Sequence, residues 1–118
     1  MNKVKIINYT KKKDLIQNAD CAVTFYQRAK GLLGRKTLQY GEALVLKRCN
    51  SIHTFFMKFP IDVVFIHKNG TVLKIMSNIK PGRLSPIIWK AAHVIEFPAG
   101  FVTHELICQG DIVQFIKK

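Results

Sequence analysis

Two β-branched, apolar runs separated by an Asn-Gly pair lie in the middle of the chain and constrain its fold more than any other feature. The first run covers residues 62–67 and the second covers residues 71–76, with Asn69-Gly70 between them. An Asn-Gly pair in this setting is typical of a β-hairpin with a type I′ turn. Residues 63–66 are apolar without a break, which indicates a strand covered on both faces. The pattern therefore predicts a hairpin inside a β-sandwich or barrel.

Shorter runs of the same kind predict five further strands. They lie at residues 4–9, 43–47, 52–57, 93–97 and 111–116. One helix is predicted at residues 25–33, because Thr24 and Gln27 have the spacing of a capping box and Gly34 stands where a helix commonly ends. About seven short strands and one short helix in 118 residues predict a mainly β fold. We expect one compact, sandwich-like or barrel-like domain over residues 1–118.

Two polar segments interrupt this pattern. Lys11-Lys12-Lys13 is predicted to be a solvated loop tip, and the segment from Pro81 to Pro86 is predicted to be a long loop that leads into Trp89.

Positive charge is the strongest bias in the composition. The chain has 19 Lys and Arg against 7 Asp and Glu, a formal net charge of +12. Such a charge permits binding to nucleic acid, anionic lipid headgroups or phosphorylated ligands. The sequence has no pattern of a helix-turn-helix, a zinc finger or an RNP-type run. We therefore expect only nonspecific, salt-sensitive affinity for polyanions.

The cysteines and the N-terminal segment indicate a cellular compartment. Cys21, Cys49 and Cys108 cannot all pair within one chain, which fits a reducing environment. Lysines interrupt the first apolar residues, so the segment lacks the apolar core of a signal peptide. No stretch approaches the roughly 18 consecutive apolar residues of a spanning helix. These features predict a cytoplasmic protein with no membrane span.

The spacing of Cys49, His53 and Met57 invites comparison with the ligand loop of a blue-copper site. Such a site needs a second histidine upstream of the cysteine, and the chain has none before His53. Period-two alternation along a strand is the favoured explanation of the spacing. The four histidines are scattered without a zinc motif. We therefore predict no metal and no cofactor.

A Cys-His catalytic pair at Cys49 and His53 is not expected. On an extended strand their side chains would lie about 13 Å apart at ~3.3 Å per residue, too far for direct proton transfer. On that strand we expect the ring of His53 to be half-buried and hydrogen-bonded.

Arg28 and Arg35 form the most suggestive pair of polar residues. The chain has only four arginines beside fifteen lysines, and these two lie seven residues apart, about two helical turns. Both guanidinium groups are therefore predicted to point the same way and to bind an anion. Pairing of the same two side chains with structural carboxylates remains an equal alternative.

Asp62 and Glu96 stand at the ends of strongly apolar strands. An ionised carboxylate in such a position requires partners. A structural role is favoured, while a cluster of either carboxylate with His53 would be a candidate for acid/base catalysis.

Two ordered motifs resemble a known family. They are Arg28-x2-Gly31-Leu32-x2-Arg35 and His53-x3-Met57-x2-Pro60-x-Asp62. From about Ala22 onwards the chain resembles domain-of-unknown-function family 192, an uncharacterised bacterial and archaeal family. The matched positions are Arg28, Arg35, His53, Met57, Asp62, Glu96, Gly100 and Asp111. The resemblance implies a compact, mainly β fold and no established biochemical activity.

The leading hypothesis is a non-enzymatic module that binds a small anionic ligand or an anionic surface through Arg28, Arg35 and His53. Supporting positions are Met57, Asp62, Glu96 and Asp111. One alternative is a hydrolase-like or lyase-like enzyme that uses His53 with Asp62 or Glu96. A second alternative is a weak, nonspecific nucleic-acid binder. The ligand and the oligomeric state are not determined by the sequence.

Overall fold

A computed structural model describes all 118 residues and contains seven β-strands and one short helix. The strands are β1 (Asn2–Asn8), β2 (Lys13–Ala22), β3 (Leu44–Lys47), β4 (Ile61–His67), β5 (Val72–Ile79), β6 (Ala91–Pro98) and β7 (Val113–Lys117). The helix α1 is Phe25–Lys30. The predicted mainly β class is therefore confirmed. A six-residue helix is too short to cross a membrane.

All seven strands belong to one sheet, in the order β5-β4-β6-β3-β2-β1-β7. Neighbouring strands are antiparallel except β2 and β3, which are parallel. Thr71 and Ile112, which directly precede the two edge strands β5 and β7, form an isolated bridge. The sheet therefore curls into a half-barrel in which the first residues of its two edges meet.

The curled sheet has a buried core on each face. One cluster draws on all seven strands and lies inside the curl, and it includes Val64 and Ile66 of β4. The other cluster covers the outer face, where Val63 and Phe65 of β4 pack with Leu32 and other residues of the segments outside the sheet. Alternate residues of β4 thus enter different cores, which explains the unbroken apolar run in its sequence.

The predicted β4–β5 hairpin is present, but its predicted type I′ turn is wrong. His67 donates a backbone hydrogen bond to the Thr71 carbonyl and accepts one from the Gly70 N–H, both at 2.8 Å. Gly70 has a φ of 96°, whereas Lys68 and Asn69 do not have positive φ. A type I′ turn needs positive φ at both central residues. The connection is a three-residue loop closed by a glycine bulge.

The predicted strand at residues 52–57 is wrong. The segment forms only an isolated bridge, between His53 and Leu84, and then turns at Thr54, whose carbonyl accepts the Met57 N–H at 3.2 Å. The Thr54 hydroxyl donates to the Lys80 carbonyl at 2.6 Å, and the segment is thereby held against the 80–83 loop. Side-chain hydrogen bonds of this kind compete with strand pairing.

Strand β2 has no counterpart among the predicted strands. Its buried residues include Ile16, Ala19 and Cys21, a spacing that interrupts period-two alternation. The pairing with β1 contains register shifts near Val4 and Ile6, so a bulge accounts for the lost period.

Helix α1 begins where the sequence predicted but ends three residues early. Thr24 and Gln27 form the capping box, with the Thr24 hydroxyl accepting the Gln27 N–H at 3.1 Å. Gly31, with a φ of 47°, caps the C-terminus in place of Gly34. Arg28 therefore lies on the helix and Arg35 lies beyond it, which removes the basis for placing both on one helix face.

Candidate functional site

A small cavity lies on the outer face of the sheet, between α1 with its following residues, the 49–57 segment and β6. Its volume is about 80 Å³. The lining includes Arg28, Cys49, His53, Met57 and Glu96, and we call it the Glu96 cavity.

Glu96 reaches the cavity because of strand alternation. On β6, Ile95 and Phe97 enter the inner core, so Glu96 faces the outer side with Val94. The side chain is 4% exposed. Burial raises the pKa of its carboxyl to about 8, and no hydrogen bond offsets that effect. At neutral pH, Glu96 is therefore mainly a neutral carboxylic acid that faces the cavity.

Arg28 joins the helix to the end of β3. Its Nη1 donates to the carbonyls of Lys47 at 3.3 Å and Arg48 at 2.6 Å. Its Nε is buried and has no hydrogen-bond partner. A buried donor without a partner is costly, so Arg28 retains unused hydrogen-bonding capacity beside the cavity.

Cys49 also lines the cavity. Burial raises the pKa of its thiol, and the Ser51 backbone and the Arg28 charge act in the opposite direction. Its Sγ donates to the Ser51 carbonyl at 3.0 Å. Cys49 is therefore a protonated wall residue and not an activated nucleophile.

His53 stands at the exposed rim of the cavity, and Met57 is buried in its wall. The ring of His53 stacks on Phe55 with centroids 5.5 Å apart. The expectation of a half-buried His53 is wrong, because residues 53–57 form a turn and not a strand. The same turn brings His53 and Met57 to one cavity together with Cys49.

Arg35 does not line the cavity. Its guanidinium lies 3.2 Å from Glu42 Oε2 and 3.9 Å from Asp20 Oδ2. This is the structural pairing that the sequence left open as an alternative. Of the three predicted ligand-binding residues, the structure brings Arg28 and His53 together at the cavity.

Asp62 is a buried anchor for backbone away from the cavity. Its Oδ1 accepts the Asn78 N–H at 2.8 Å, and its Oδ2 accepts the N–H groups of Gly100 and Val102, both at 3.0 Å. Its oxygens are thus occupied, and the acid/base alternative of His53 with Asp62 has no geometric support.

Asp111 plays a similar part at the start of β7. Its Oδ2 accepts from the Asn8 side-chain amide at 2.9 Å and from the Cys108 N–H at 2.8 Å. It holds the end of β1 close to the start of β7.

Sequence reasoning missed Cys49 as part of a site with Arg28 and Glu96. Its spacing from His53 and Met57 was the available signal, but alternation on a strand offered a simpler explanation. No group of three or more His, Cys, Asp or Glu side chains is placed to hold a metal ion.

The chain is similar in sequence to known proteins over nearly its whole length. The family model DUF192, described as Uncharacterized ACR, matches residues 6–115. A UPF0127 protein of Thermococcus kodakarensis is 32% identical over 93% of this chain and 72% of its own length. A UPF0127 protein of Pyrococcus furiosus is 31% identical over 93% of this chain and 97% of its own length.

The fold also occurs among crystal structures. A protein of unknown function from Novosphingobium aromaticivorans superimposes with a TM-score of 0.81 at 23% identity, over 95% of this chain and 83% of its own. Its identity is low enough that the likeness concerns the fold alone. The family match covers nearly the whole chain, and the chain therefore belongs to domain-of-unknown-function family 192.

Proposed function

We propose that the Glu96 cavity binds a small anion, held by Arg28 and by the protonated carboxyl of Glu96, with His53 at the entrance. The observation that carries this proposal is the buried carboxyl of Glu96, which faces a cavity without a hydrogen-bond partner of its own.

The charge state of the lining favours an anion over a cation. A neutral carboxylic acid offers one O–H donor, and Arg28 offers a full positive charge with an unused N–H. Hydrogen bonds from such groups to an anionic oxygen are among the stronger ones in proteins. A bound cation would instead face Arg28 and would require Glu96 to lose its proton.

The size of the cavity limits the ligand. Its 80 Å³ is well below the roughly 300–1,000 Å³ of pockets for drug-sized molecules. A nucleotide or a sugar phosphate does not fit. A short-chain carboxylate is the class that matches both the volume and a shared proton with Glu96.

Acetate is a suitable probe, titrated at pH 6 and pH 9 by calorimetry and thermal shift. Binding is expected at pH 6 and should weaken about tenfold for each pH unit above the pKa of Glu96, because the ionised carboxyl repels the anion. Glu96→Gln keeps a neutral donor, so it should bind acetate with little dependence on pH. Glu96→Leu should not bind.

Two arginine variants provide a matched comparison. Arg28→Gln and Arg35→Gln remove the same charge, but only Arg28 lines the cavity. The first should weaken acetate binding and the second should leave it unchanged. Equal binding by wild type and Glu96→Leu at both pH values would overturn the proposal.

A further inference from the structure

Two loops, residues 48–60 and 80–90, run side by side, and the first of them lines the Glu96 cavity. Three backbone hydrogen bonds join them: Thr54 N–H to the Arg83 carbonyl at 2.8 Å, Ser85 N–H to the Ile52 carbonyl at 2.9 Å, and Ile88 N–H to the Asn50 carbonyl at 2.8 Å. Ile52, Thr54 and Ser85 are buried. The loops therefore form a fixed platform.

Both loops of this platform carry large hydrophobic side chains that are exposed to solvent. We call them the apolar strip: Phe55, Phe56, Leu84, Ile87 and Trp89. Phe56 and Trp89 are 88% and 80% exposed. Exposed apolar side chains grouped in this way are typical of interaction surfaces.

Phe56 is not only exposed but also has a strained backbone conformation. Its φ is 64°, in the left-handed region that bulky residues avoid. The next residue, Met57, is buried, so the turn that anchors Met57 also holds Phe56 outward. An exposed phenylalanine in a strained turn contributes little to the stability of the fold.

The exposed charge in the part of the sequence that carries the strip is of one sign. Between residues 43 and 95 the only acidic residue is Asp62, which is 1% exposed and occupied by backbone N–H groups. Lys58, Arg83 and Lys90 lie within the two loops, and all three are exposed. The two loops that carry the apolar strip therefore also carry exposed basic groups and no exposed carboxylate.

We propose that the apolar strip docks on the surface of an anionic lipid bilayer. Phe56, Leu84 and Trp89 would enter the headgroup and acyl boundary, and the basic side chains would contact lipid phosphates and carboxylates. Transfer of apolar side chains into that layer is favourable. Each Lys or Arg near an anionic leaflet strengthens binding to the membrane by about 1 kcal/mol.

Other occupants fit the strip less well. A second copy of the chain would bring two basic faces together, and like charges repel. Single-stranded nucleic acid would use the aromatic faces for stacking, but it offers no apolar environment to Leu84 and Ile87. An anionic bilayer accommodates aromatic, aliphatic and basic side chains at once. This inference is independent of the proposed anion site, because none of the strip residues lines the cavity.

Vesicle flotation tests the inference with the full chain. Vesicles of equimolar phosphatidylcholine and phosphatidylserine should carry the protein, and pure phosphatidylcholine vesicles should carry much less. Phe56→Ser with Leu84→Ser should lower binding roughly tenfold or more, since two exposed side chains no longer insert. Both side chains are exposed, so the variant should retain the thermal unfolding midpoint of the wild type.

Matched controls lie on the β1–β2 turn. Tyr9→Ser removes another exposed aromatic, and Lys11→Gln with Lys12→Gln removes the same charge as Lys58→Gln with Arg83→Gln. Only the changes in the two loops should weaken binding. Equal losses from both charge pairs would overturn the inference in favour of general charge attraction.

Two other results would also overturn it. If Phe56→Ser with Leu84→Ser left vesicle binding intact but abolished a dimer seen by light scattering, the strip would be a contact between copies. If the same variant lost binding to oligo(dT) and not to vesicles, the partner would be single-stranded nucleic acid. Glu96→Leu should bind vesicles like the wild type. The test of vesicle binding is therefore separate from the test of acetate binding at the Glu96 cavity.

Discussion

At the residue scale, Glu96 makes the stability of the protein depend on pH. Its pKa is about 8 in the folded chain against an ordinary value of 4.5. Between these values the unfolded chain has released a proton that the folded chain keeps. The free energy of unfolding should therefore fall as pH rises from 4.5 to 8, by at most about 1.4 kcal/mol per pH unit. Above pH 8 the folded chain has also released this proton, and the stability that the protonated Glu96 contributes is fully lost.

Urea denaturation of wild type and Glu96→Gln from pH 5 to pH 9 measures this effect. The difference between their unfolding free energies should grow with pH in favour of the variant. His93, whose pKa is lowered by burial and by Lys47, titrates in both proteins and cancels in that difference. Parallel curves would show that Glu96 is ionised in the folded chain.

Truncation of His53 and truncation of Asp62 to alanine should change the free energy of unfolding by very different amounts. His53→Ala removes an exposed ring, so the free energy of unfolding should change by less than about 0.5 kcal/mol. Asp62→Ala leaves three backbone N–H groups without their acceptor, at a cost of about 1–3 kcal/mol for an unsatisfied buried group. Denaturant midpoints compare them directly. A larger loss for His53→Ala would contradict the exposed position of the ring.

At the element scale, the β4–β5 loop and the start of β7 are closely packed. A Cβ on Gly70 would lie 2.6 Å from the Val113 carbonyl oxygen, and its φ is 96°. Gly70→Ala should therefore force the two segments apart and destabilise the protein by more than about 2 kcal/mol. Thermal unfolding measures the loss.

Gly41 is the matched control. It has the same φ of 96°, but nothing lies within 4 Å of the point that a Cβ would occupy. Gly41→Ala should cost only the conformational strain, about 1 kcal/mol. Equal losses of stability at the two glycines would mean that the close contact with β7 does not restrict which residue the β4–β5 loop can hold at position 70.

At the scale of the whole molecule, the charge of +12 predicts weak attraction to any polyanion. Anisotropy titrations with unrelated DNA duplexes should give similar affinities, each falling steeply with salt. For every phosphate neutralised, the log–log slope changes by about −0.9 on duplex DNA. Nanomolar binding to one sequence at physiological salt would instead indicate specific recognition.

The sequence by itself determined the features that act over a few residues. The mainly β class follows from short β-branched runs, the β4–β5 hairpin from the position of Gly70, and the start of α1 from the capping box of Thr24 and Gln27. Each of these signals lies within one element or one turn, so no distant contact is needed to produce it.

Tertiary structure decided the features that depend on distant partners. Strand β2 was hidden because its bulge against β1 interrupts the alternation. The 52–57 segment leaves the extended form because Thr54 bonds to residues 26 and 29 positions away. The cavity unites Arg28, Cys49 and Glu96 only when the sheet has curled and Leu32, which follows α1, has packed on its outer face. Sequence patterns report local preferences, whereas these contacts exist only once the whole sheet has formed.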